Sequence, residues 1–145
     1  MLLEYLDKDK ILFDLSAANY RQAIEYLLRV SRLDISQTLK NITERESMMS
    51  TALGKGVALP RAVLDDQKKT EVIVGIVRKG LKLKSFDLAP IKIIILHLFA
   101  KNDDYSAILA HTLRLMNDDN LKNEIINCRT AEDVIAVIKE WEEEE

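Results

Sequence analysis

The chain has 145 residues, of which 48% are hydrophobic and 31% charged, a composition typical of one soluble globular domain. Its 21 basic and 24 acidic side chains give a net charge of −3 and are mixed along most of the sequence. With no basic stripe, nucleic acid and an anionic membrane are excluded as expected partners. The single cysteine, Cys128, excludes an internal disulfide and a cysteine-rich zinc site, and nothing in the sequence predicts a metal or another cofactor.

The first ten residues carry acids at Glu4 and Asp7 and lack the basic flank and apolar core of a signal peptide. No apolar run approaches the roughly 20 residues that a membrane-spanning helix needs. We therefore expect a cytoplasmic protein that does not insert into a membrane.

The N-terminal third predicts one strand and two helices. The apolar run 11–15 has strand character, and Ser16 is the expected cap of a following helix. The apolar stripe of that helix consists of Tyr20, Ala23, Ile24, Leu27 and Leu28. A second helix is predicted from Asp34, and its last turns carry Arg45 and Glu46. The residues that it is expected to bury are Ile35, Leu39, Ile42 and Met49.

Two later segments, 71–77 and 91–100, are β-branched and almost continuously apolar. Such runs belong to strands that are covered by helices on both faces of a sheet. Pro90 cannot donate a ladder hydrogen bond, so it is expected as the first residue of the second strand.

After Lys101 the pattern is helical over 105–116 and 121–128, and a last helix is predicted with Thr130 as its cap. The apolar face of the last helix consists of Ala131, Val134, Ile135 and Ile138. The acidic residues 142–145 are expected to form a solvated tail. The order of elements predicts a single α/β domain over 1–145.

The sequence RESMMSTALGKGVALPR, residues 45–61, carries the most specific signal. It resembles the signature of the type-2 EIIA domains of the bacterial phosphotransferase system, the fructose, mannitol and nitrogen-regulatory group. The matching residues are Arg45, Glu46, Ser50, Thr51, Gly54, Gly56, Ala58 and Pro60. Segments 86–100, 102–125 and 129–138 are similar as well, so the resemblance covers essentially the whole chain. It implies a mixed β-sheet sandwiched between helices.

The resemblance also implies a mechanism. In this family a histidine after the proline accepts a phosphoryl group from a histidine phosphocarrier protein and passes it to a sugar permease component. An imidazole suits this role because one ring nitrogen is an unprotonated nucleophile near neutral pH. The implied phosphoryl-binding candidates are Arg45, Thr51, Lys55 and Arg61. Glu46, Gly54, Gly56 and Pro60 are expected to shape the site, with the two glycines also explicable as turn formers alone.

This chain departs from the family pattern at both histidine positions. Arg61 stands where the family has its phosphoacceptor, and a guanidinium stays protonated and offers no lone pair. Tyr105 stands at the position of the second histidine found in many members. The remaining histidines, His97 and His111, lack a motif and are interpreted as a half-buried strand residue and a residue packed at a helix edge. Cys128 is interpreted as a small core residue.

Three functional hypotheses follow, of which the first is favoured. Under the first hypothesis the chain is a regulatory EIIA-like module, a pseudoenzyme that has lost the carrier step. Under the second it is an active phosphocarrier of sugar uptake that uses another residue. Under the third it is an anion-binding module built on Arg45, Lys55 and Arg61. Instead of holding an anion, Arg61 could equally pair with Asp65 or Asp87 and close the site. The expected partners are proteins: a histidine phosphocarrier, a transporter component, a kinase or a transcription regulator. The oligomeric state is left open.

Overall fold

A mixed β-sheet forms the centre of the fold in the computed structural model, which describes residues 1–31, 35–48, 52–82 and 89–144. Within these ranges the sheet has six strands in the order β1-β5-β6-β3-β2, and β4 also pairs with β6. The strands are β1 (Ile11–Phe13), β2 (Ala52–Gly54), β3 (Val57–Ala58), β4 (Arg61–Leu64), β5 (Glu71–Leu81) and β6 (Ile91–Ala100). The mixed sheet expected from the resemblance is therefore confirmed.

Two helices lie between β1 and β2 in sequence, and three follow β6. They are α1 (Tyr20–Leu28), α2 (Ile35–Met48), α3 (Tyr105–Met116), α4 (Asp119–Asn127) and α5 (Ala131–Glu144). Two short 3₁₀ turns, Leu2–Glu4 and Lys8–Lys10, precede β1. This arrangement confirms the predicted α/β architecture.

The two faces of the sheet carry separate hydrophobic cores, because alternate side chains of a strand point to opposite faces. On β6, Ile94, Leu96 and Leu98 pack with residues of α1 and α2. Ile93 and Ile95 belong to the other core, with residues of α3, α4, α5 and the N-terminal segment. Burial on both faces explains why β5 and β6 are almost continuously apolar.

Strand β6 positions the segment that carries the signature. β5 runs antiparallel along one edge of β6. Along the other edge β3 pairs with the first half of β6 and β4 with the second half, both in parallel. The chain from Val57 to Leu64 is thereby fixed along one edge of a buried strand.

The helix boundaries correct several predictions. Asn19, not Ser16, caps α1, because its side chain accepts a hydrogen bond from the backbone N–H of Gln22 at 2.9 Å. The predicted stripe of α1 is fully buried. Thr130 does cap α5, through a 3.1 Å bond from the Asp133 N–H. Pro90 lies just before β6 and not within it.

The predicted buried face of α2 can be compared with the structure at three of its four residues. Of the residues expected to be buried by α2, Leu39 and Ile42 are buried and Ile35 packs against the same core while partly exposed. Asp34 and Met49 lie outside the described residues.

The solvated tail was wrong for Glu142. This residue lies in α5, its side chain is only 10% exposed, and it accepts hydrogen bonds from the backbone N–H of Leu2 at 2.9 Å and from the Met1 amino group. A run of acidic residues predicts a solvent-exposed segment. In the folded chain, however, Glu142 faces the N-terminal segment.

Candidate functional site

The first part of the signature that lies in the sheet is a tight β-hairpin formed by β2 and β3. Gly54 pairs with Val57, so Lys55 and Gly56 form a two-residue loop. Both loop residues have positive φ, 56° and 81°, the combination required by a type I′ turn. A Cβ at Gly56 would lie 3.3 Å from the Pro90 carbonyl oxygen. Gly56 is therefore required by both the turn and the close approach of the backbone.

Residues Pro60 and Arg61 lie beside the middle of β6. The backbone N–H of His97 donates to the Pro60 carbonyl at 3.0 Å, and Arg61 is the register partner of His97. Ala62 and Leu64 pack on the core of α1 and α2. By strand alternation, Arg61 projects from the opposite face, on the side of His97.

The end of α2 brings a second guanidinium to Arg61. Burial lowers the pKa of Arg61, the positive charge of Arg45 lowers it further, and Glu46 acts in the opposite direction. Glu46 accepts a 3.3 Å hydrogen bond from the Tyr20 hydroxyl. Within the described ranges, neither Arg45 nor Arg61 forms an ion pair with a carboxylate. The site is thus a pair of neighbouring cations with one acid nearby.

Two exposed side chains, Val63 and Tyr105, lie around Phe99, which stacks on the register partner of Arg61. Val63 follows Arg61 on the same face of β4 and is the register partner of Phe99. The Phe99 ring stacks on His97 and contacts the Tyr105 ring, with centroids 5.5 Å apart. Val63 is 43% and Tyr105 42% exposed. The structure therefore connects the two family histidine positions, Arg61 and Tyr105, through His97 and Phe99.

His97 lies in the core and is not the half-buried residue that the sequence predicts. Its exposed fraction is 0%, and Nε2 is 3.0 Å from the Thr112 hydroxyl on α3. Thr112 donates to the Ile108 carbonyl, so we assign the Nε2 proton of His97 as donated to Thr112. Nδ1 is buried and has no hydrogen-bond partner with good geometry among the described residues.

The charge state of His97 follows from this environment. Burial lowers the pKa of His97 to about 4, the Ile95 backbone opposes this effect, and the positive charge of Arg61 adds to it. The imidazole is therefore neutral at physiological pH, but its nitrogens are enclosed by protein.

His111 is also enclosed. It is 7% exposed, and its Nε2 lies 2.7 Å from a carboxylate oxygen of Glu142. Nδ1 faces the Arg114 guanidinium at 3.2 Å, and the ring edge contacts Trp141. Because a guanidinium can only donate, Nδ1 is the acceptor and Nε2 carries the proton. Both ring nitrogens are thus occupied.

The backbone of Lys55 lies on a different part of the sheet from that of Arg61. Lys55 precedes Val57, which pairs four residues earlier on β6 than Arg61 does. At 3.3 Å per residue this is a separation of more than about 13 Å along the strand. The predicted grip of one anion by Arg45, Lys55 and Arg61 together stays a prediction, and it would require the Lys55 side chain to reach along the sheet.

Among the described residues Arg61 makes no ion pair with Asp65, whose carboxylate lies 3.9 Å from the Lys101 ammonium. Thr51 and Asp87, like Ser50, lie outside the described residues. Cys128 is buried, as predicted, and its thiol donates to the Glu124 carbonyl. Burial raises the pKa of Cys128, and the nearby acids Asp133 and Glu124 raise it further.

Sequence reasoning missed Val63, Phe99 and Thr112. Phe99 carried a usable signal, since it lies two residues after His97 in a strand and must share its face. No sequence signal points to Thr112 or Val63, because their contacts depend on how α3 and β4 are placed. Across the described ranges, no group of three or more histidine, cysteine, aspartate or glutamate residues could hold a metal ion, and no helix is long and apolar enough to cross a membrane.

Comparison with known proteins identifies the family. The family model for the phosphoenolpyruvate-dependent sugar phosphotransferase system, EIIA 2, matches residues 4–141. The chain belongs to this family. This EIIA domain is 24% identical over 140 residues to the mannitol-specific EIICBA component of Pasteurella multocida. That match covers 92% of the chain and 22% of the relative, so the domain spans about a fifth of that protein's length.

Solved structures share the fold. Nitrogen regulatory protein IIA-Ntr from Neisseria meningitidis superposes with a TM-score of 0.84 at 23% identity, covering 92% of this chain and 96% of that one. The IIA mannitol enzyme of Escherichia coli, in complex with phosphorylated IIB mannitol, gives a TM-score of 0.78 at 16% identity, covering 92% of this chain and 96% of that one. The EIIA mannitol and nitrogen-regulatory type of fold is confirmed.

Proposed function

We propose that this EIIA domain is a regulatory or interaction module that does not carry a phosphoryl group in the usual way. The observation that supports this most strongly is Arg61 at the end of the signature, beside His97 on β6. Burial and Arg45 lower the pKa of Arg61, but a guanidinium remains protonated in proteins and cannot be the nucleophile.

The alternative of an active carrier requires another acceptor. His97 is neutral and has a free lone pair, but it is fully buried beneath Phe99 and Thr112. A phosphoryl donor on another protein could not bring phosphorus within bonding distance without opening this core. At His111, both ring nitrogens are engaged by Arg114 and Glu142. Neither arrangement favours a reversible transfer between proteins.

The experiment is a phosphorylation assay with phosphoenolpyruvate, enzyme I and a histidine phosphocarrier protein. A histidine-containing type-2 EIIA domain is the positive control, and intact mass with acid lability is the readout. We expect no stoichiometric acid-labile phosphate on the wild-type chain. One equivalent of such phosphate would refute the proposal, and the single variants His97→Gln and His111→Gln would then identify the acceptor.

The substitution Arg61→His tests whether the remainder of the site is intact. If Arg45 and the hairpin still form a phosphoryl-binding frame, this single change should produce acid-labile phosphorylation. Arg61→Gln is the matched control, because it removes the charge without supplying a nucleophile. Phosphorylation of Arg61→His but not of Arg61→Gln would assign the loss of transfer to this side chain.

We further propose that the module binds a protein partner through the face around Arg61. Val63 and Tyr105 are exposed side chains on either side of Phe99, and Val63 follows Arg61 on the same face of β4. Exposed large side chains with cations on the same face suit an interface with an acidic rim. The Escherichia coli IIA mannitol enzyme was solved in complex with phosphorylated IIB mannitol. By analogy, a histidine phosphocarrier protein or a transporter component is the first partner to test, followed by a kinase or a transcription regulator.

The substitution Tyr105→Ala should weaken partner binding at least tenfold in calorimetric titration. Tyr26→Ala is a matched control, because Tyr26 has the same exposure of 42% but lies on α1. Equal effects of the two substitutions would contradict the assigned face.

A second candidate, binding of a free anion, rests on the neighbouring charges of Arg45 and Arg61. Two guanidiniums of like charge repel each other, and an oxyanion between them would relieve that repulsion. Thermal-shift measurements with phosphate and sulfate test this function, since a ligand at 100 times its Kd stabilises by about 2.7 kcal/mol. A stabilisation that persists in Arg61→Gln would contradict it.

A further inference from the structure

Two arginines of the signature lie near each other in the fold. Arg61 is the first residue of β4, is partly buried, and is the register partner of His97 on β6. Burial lowers the pKa of Arg61, and Arg45, in the last turn of α2, lies close enough for its positive charge to lower it further. Part of the Arg61 charge is thus held out of water beside a second charge of the same sign.

These two guanidiniums differ from a paired arginine of the same fold. Arg78 is also partly buried, and its guanidinium lies 2.7 Å from the Asp14 carboxylate. In the part of the chain that the structure describes, neither Arg45 nor Arg61 forms such an ion pair. An anion gains more from a guanidinium that is partly withdrawn from water, because charge interactions strengthen as the local dielectric constant falls. We therefore expect Arg61 to contribute more than Arg45 to the binding of an anion.

The charge of this cluster suits a phosphoryl group better than a carboxylate. Glu46 is an acid that acts on Arg61, and its carboxylate accepts a 3.3 Å hydrogen bond from Tyr20. Two guanidiniums and this carboxylate leave a net positive charge. A carboxylate on a partner would bring a single negative charge, whereas phosphorylation of a side chain adds about −1.5 to −2 at pH 7 and three strong acceptor oxygens. Three oxygens allow both guanidiniums to donate hydrogen bonds at once.

The imidazole next to Arg61 is not accessible to such a phosphoryl group. His97 is 0% exposed, its Nε2 lies 3.0 Å from the Thr112 hydroxyl, and the Phe99 ring stacks on it. The exposed Tyr105 hydroxyl is a phenol, which attacks phosphorus poorly without a base to remove its proton. A phosphoryl group that is bound by the two guanidiniums therefore stays on the protein that carries it.

The surface around Arg61 suits a protein and not only a small anion. Val63 follows Arg61 on the same face of β4 and is 43% exposed. Tyr105, the first residue of α3, is 42% exposed, and its ring contacts Phe99, the register partner of Val63. Exposed side chains of this kind bury surface against a protein, which inorganic phosphate cannot provide. The cations would recognise the phosphoryl group, and these side chains would contact the rest of the partner.

We propose that Arg61 makes this domain selective for the phosphorylated form of its partner protein, which the domain binds without removing the phosphoryl group. The phosphoryl oxygens accept hydrogen bonds from Arg61 and Arg45, and the partner packs against Val63 and Tyr105. This inference rests on the proposed function, because it specifies the state of the partner that the same face binds. The domain would withhold the phosphorylated protein from transfer reactions for as long as the complex lasts.

The test is a titration of the isotope-labelled full-length chain with a histidine phosphocarrier protein, followed by amide shifts in NMR spectra. One arm contains unlabelled enzyme I and phosphoenolpyruvate, which keep the phosphocarrier phosphorylated, and the other omits phosphoenolpyruvate. We expect the phosphorylated form to bind at least about tenfold more tightly, and intact mass to show no phosphate on the chain. Equal affinity of the two forms, or binding of neither, would overturn the inference and leave the lack of phosphoryl transfer unaffected. Acid-labile phosphate on the chain would instead refute the proposed function.

Two substitutions separate the phosphoryl contact from the rest of the interface. Arg61→Gln should weaken binding of the phosphorylated form at least about tenfold and that of the unphosphorylated form much less. Tyr105→Ala should weaken binding of both forms and preserve their ratio. Arg129→Gln, at an exposed position between α4 and α5, makes the same change in net charge as Arg61→Gln and should alter neither affinity. A preference that persists in Arg61→Gln, or that is lost equally in Arg129→Gln, would contradict the role of Arg61.

Inorganic phosphate distinguishes a phosphorylated protein from a free anion as the ligand. It should bind at least about tenfold more weakly than the phosphorylated phosphocarrier, because it makes no contact with Val63 or Tyr105. Amide shifts that saturate at the same concentration of inorganic phosphate as of the phosphorylated protein would assign the two guanidiniums to a free anion and overturn the proposal.

Discussion

The buried imidazole of His97 should make the stability of this domain fall between pH 7 and pH 5. In the folded chain burial lowers the pKa of His97 to about 4, whereas an unfolded histidine has a pKa of about 6.5. Above pH 6.5 the group is neutral in both states and imposes no penalty. Below pH 6.5 the unfolded chain takes up a proton that the folded chain resists, so stability is lost as the pH falls towards 4.

The size of the effect follows from the two pKa values. Their separation corresponds to about 3 kcal/mol at 1.36 kcal/mol per pH unit. At pH 5 the unfolded histidine is almost fully protonated and the folded one is still mostly neutral. About 2 kcal/mol of the free energy of unfolding should therefore be lost between pH 7 and pH 5 through His97 alone.

Urea unfolding of the wild type and of His97→Gln at both pH values measures this term. Carboxylates contribute equally to both proteins, so the difference between the two pH dependences isolates the imidazole. Histidine NMR resonances give an independent check, because the folded His97 ring should remain neutral down to pH 5. A wild-type pH dependence equal to that of the variant, or a ring that titrates near pH 6.5 in the folded state, would refute the reasoning.

Three further substitutions test the frame of the site by urea unfolding. Gly56→Ala should destabilise by about 1 to 2 kcal/mol because its φ is 81°; an unchanged midpoint would show that the hairpin can rearrange. Thr70→Val should cost about 2 kcal/mol, since the Thr70 hydroxyl donates to Asp103 at 2.6 Å; a loss below about 0.5 kcal/mol would mean that water replaces it. Arg61→Gln should leave stability unchanged or raise it by up to about 1 kcal/mol, most at low salt, because it removes repulsion from Arg45; a clear loss would show that Arg61 has a stabilising partner.

The long elements could be predicted because their patterns are strong and local. The core strands β5 and β6 are apolar along both faces, and α3 was placed from Tyr105 to Met116 with its observed limits. The short strands β2, β3 and β4 could not be predicted. Each has two to four residues, too few for alternation to show. β3 and β4 pair with an edge of β6, and β2 pairs with β3.

The site was predictable in its residues but not in its arrangement. The signature grouped Arg45 with Arg61, and the two residues are close enough in the structure for the charge of Arg45 to lower the pKa of Arg61; their role as an anion site stays a prediction. It also suggested Lys55, which lies in the turn between β2 and β3. Spacing along a motif says little about distance when the chain turns between its parts, and here Lys55 lies in a two-residue turn, with Gly56, before the strand that leads to Arg61.

The structure also shows which parts of the signature inform on function. Gly56 is required by the turn and by the Pro90 carbonyl, and the Pro60 carbonyl accepts the His97 N–H. The turn needs Gly56 whether or not a phosphoryl group is ever transferred, and the bond at position 60 uses a backbone carbonyl that any residue supplies, so neither feature argues for a carrier. Arg45 beside Arg61 is different, because this pair costs electrostatic free energy and makes no ion pair in the described chain. A charge arrangement that the fold does not need is the feature that an anionic partner would explain.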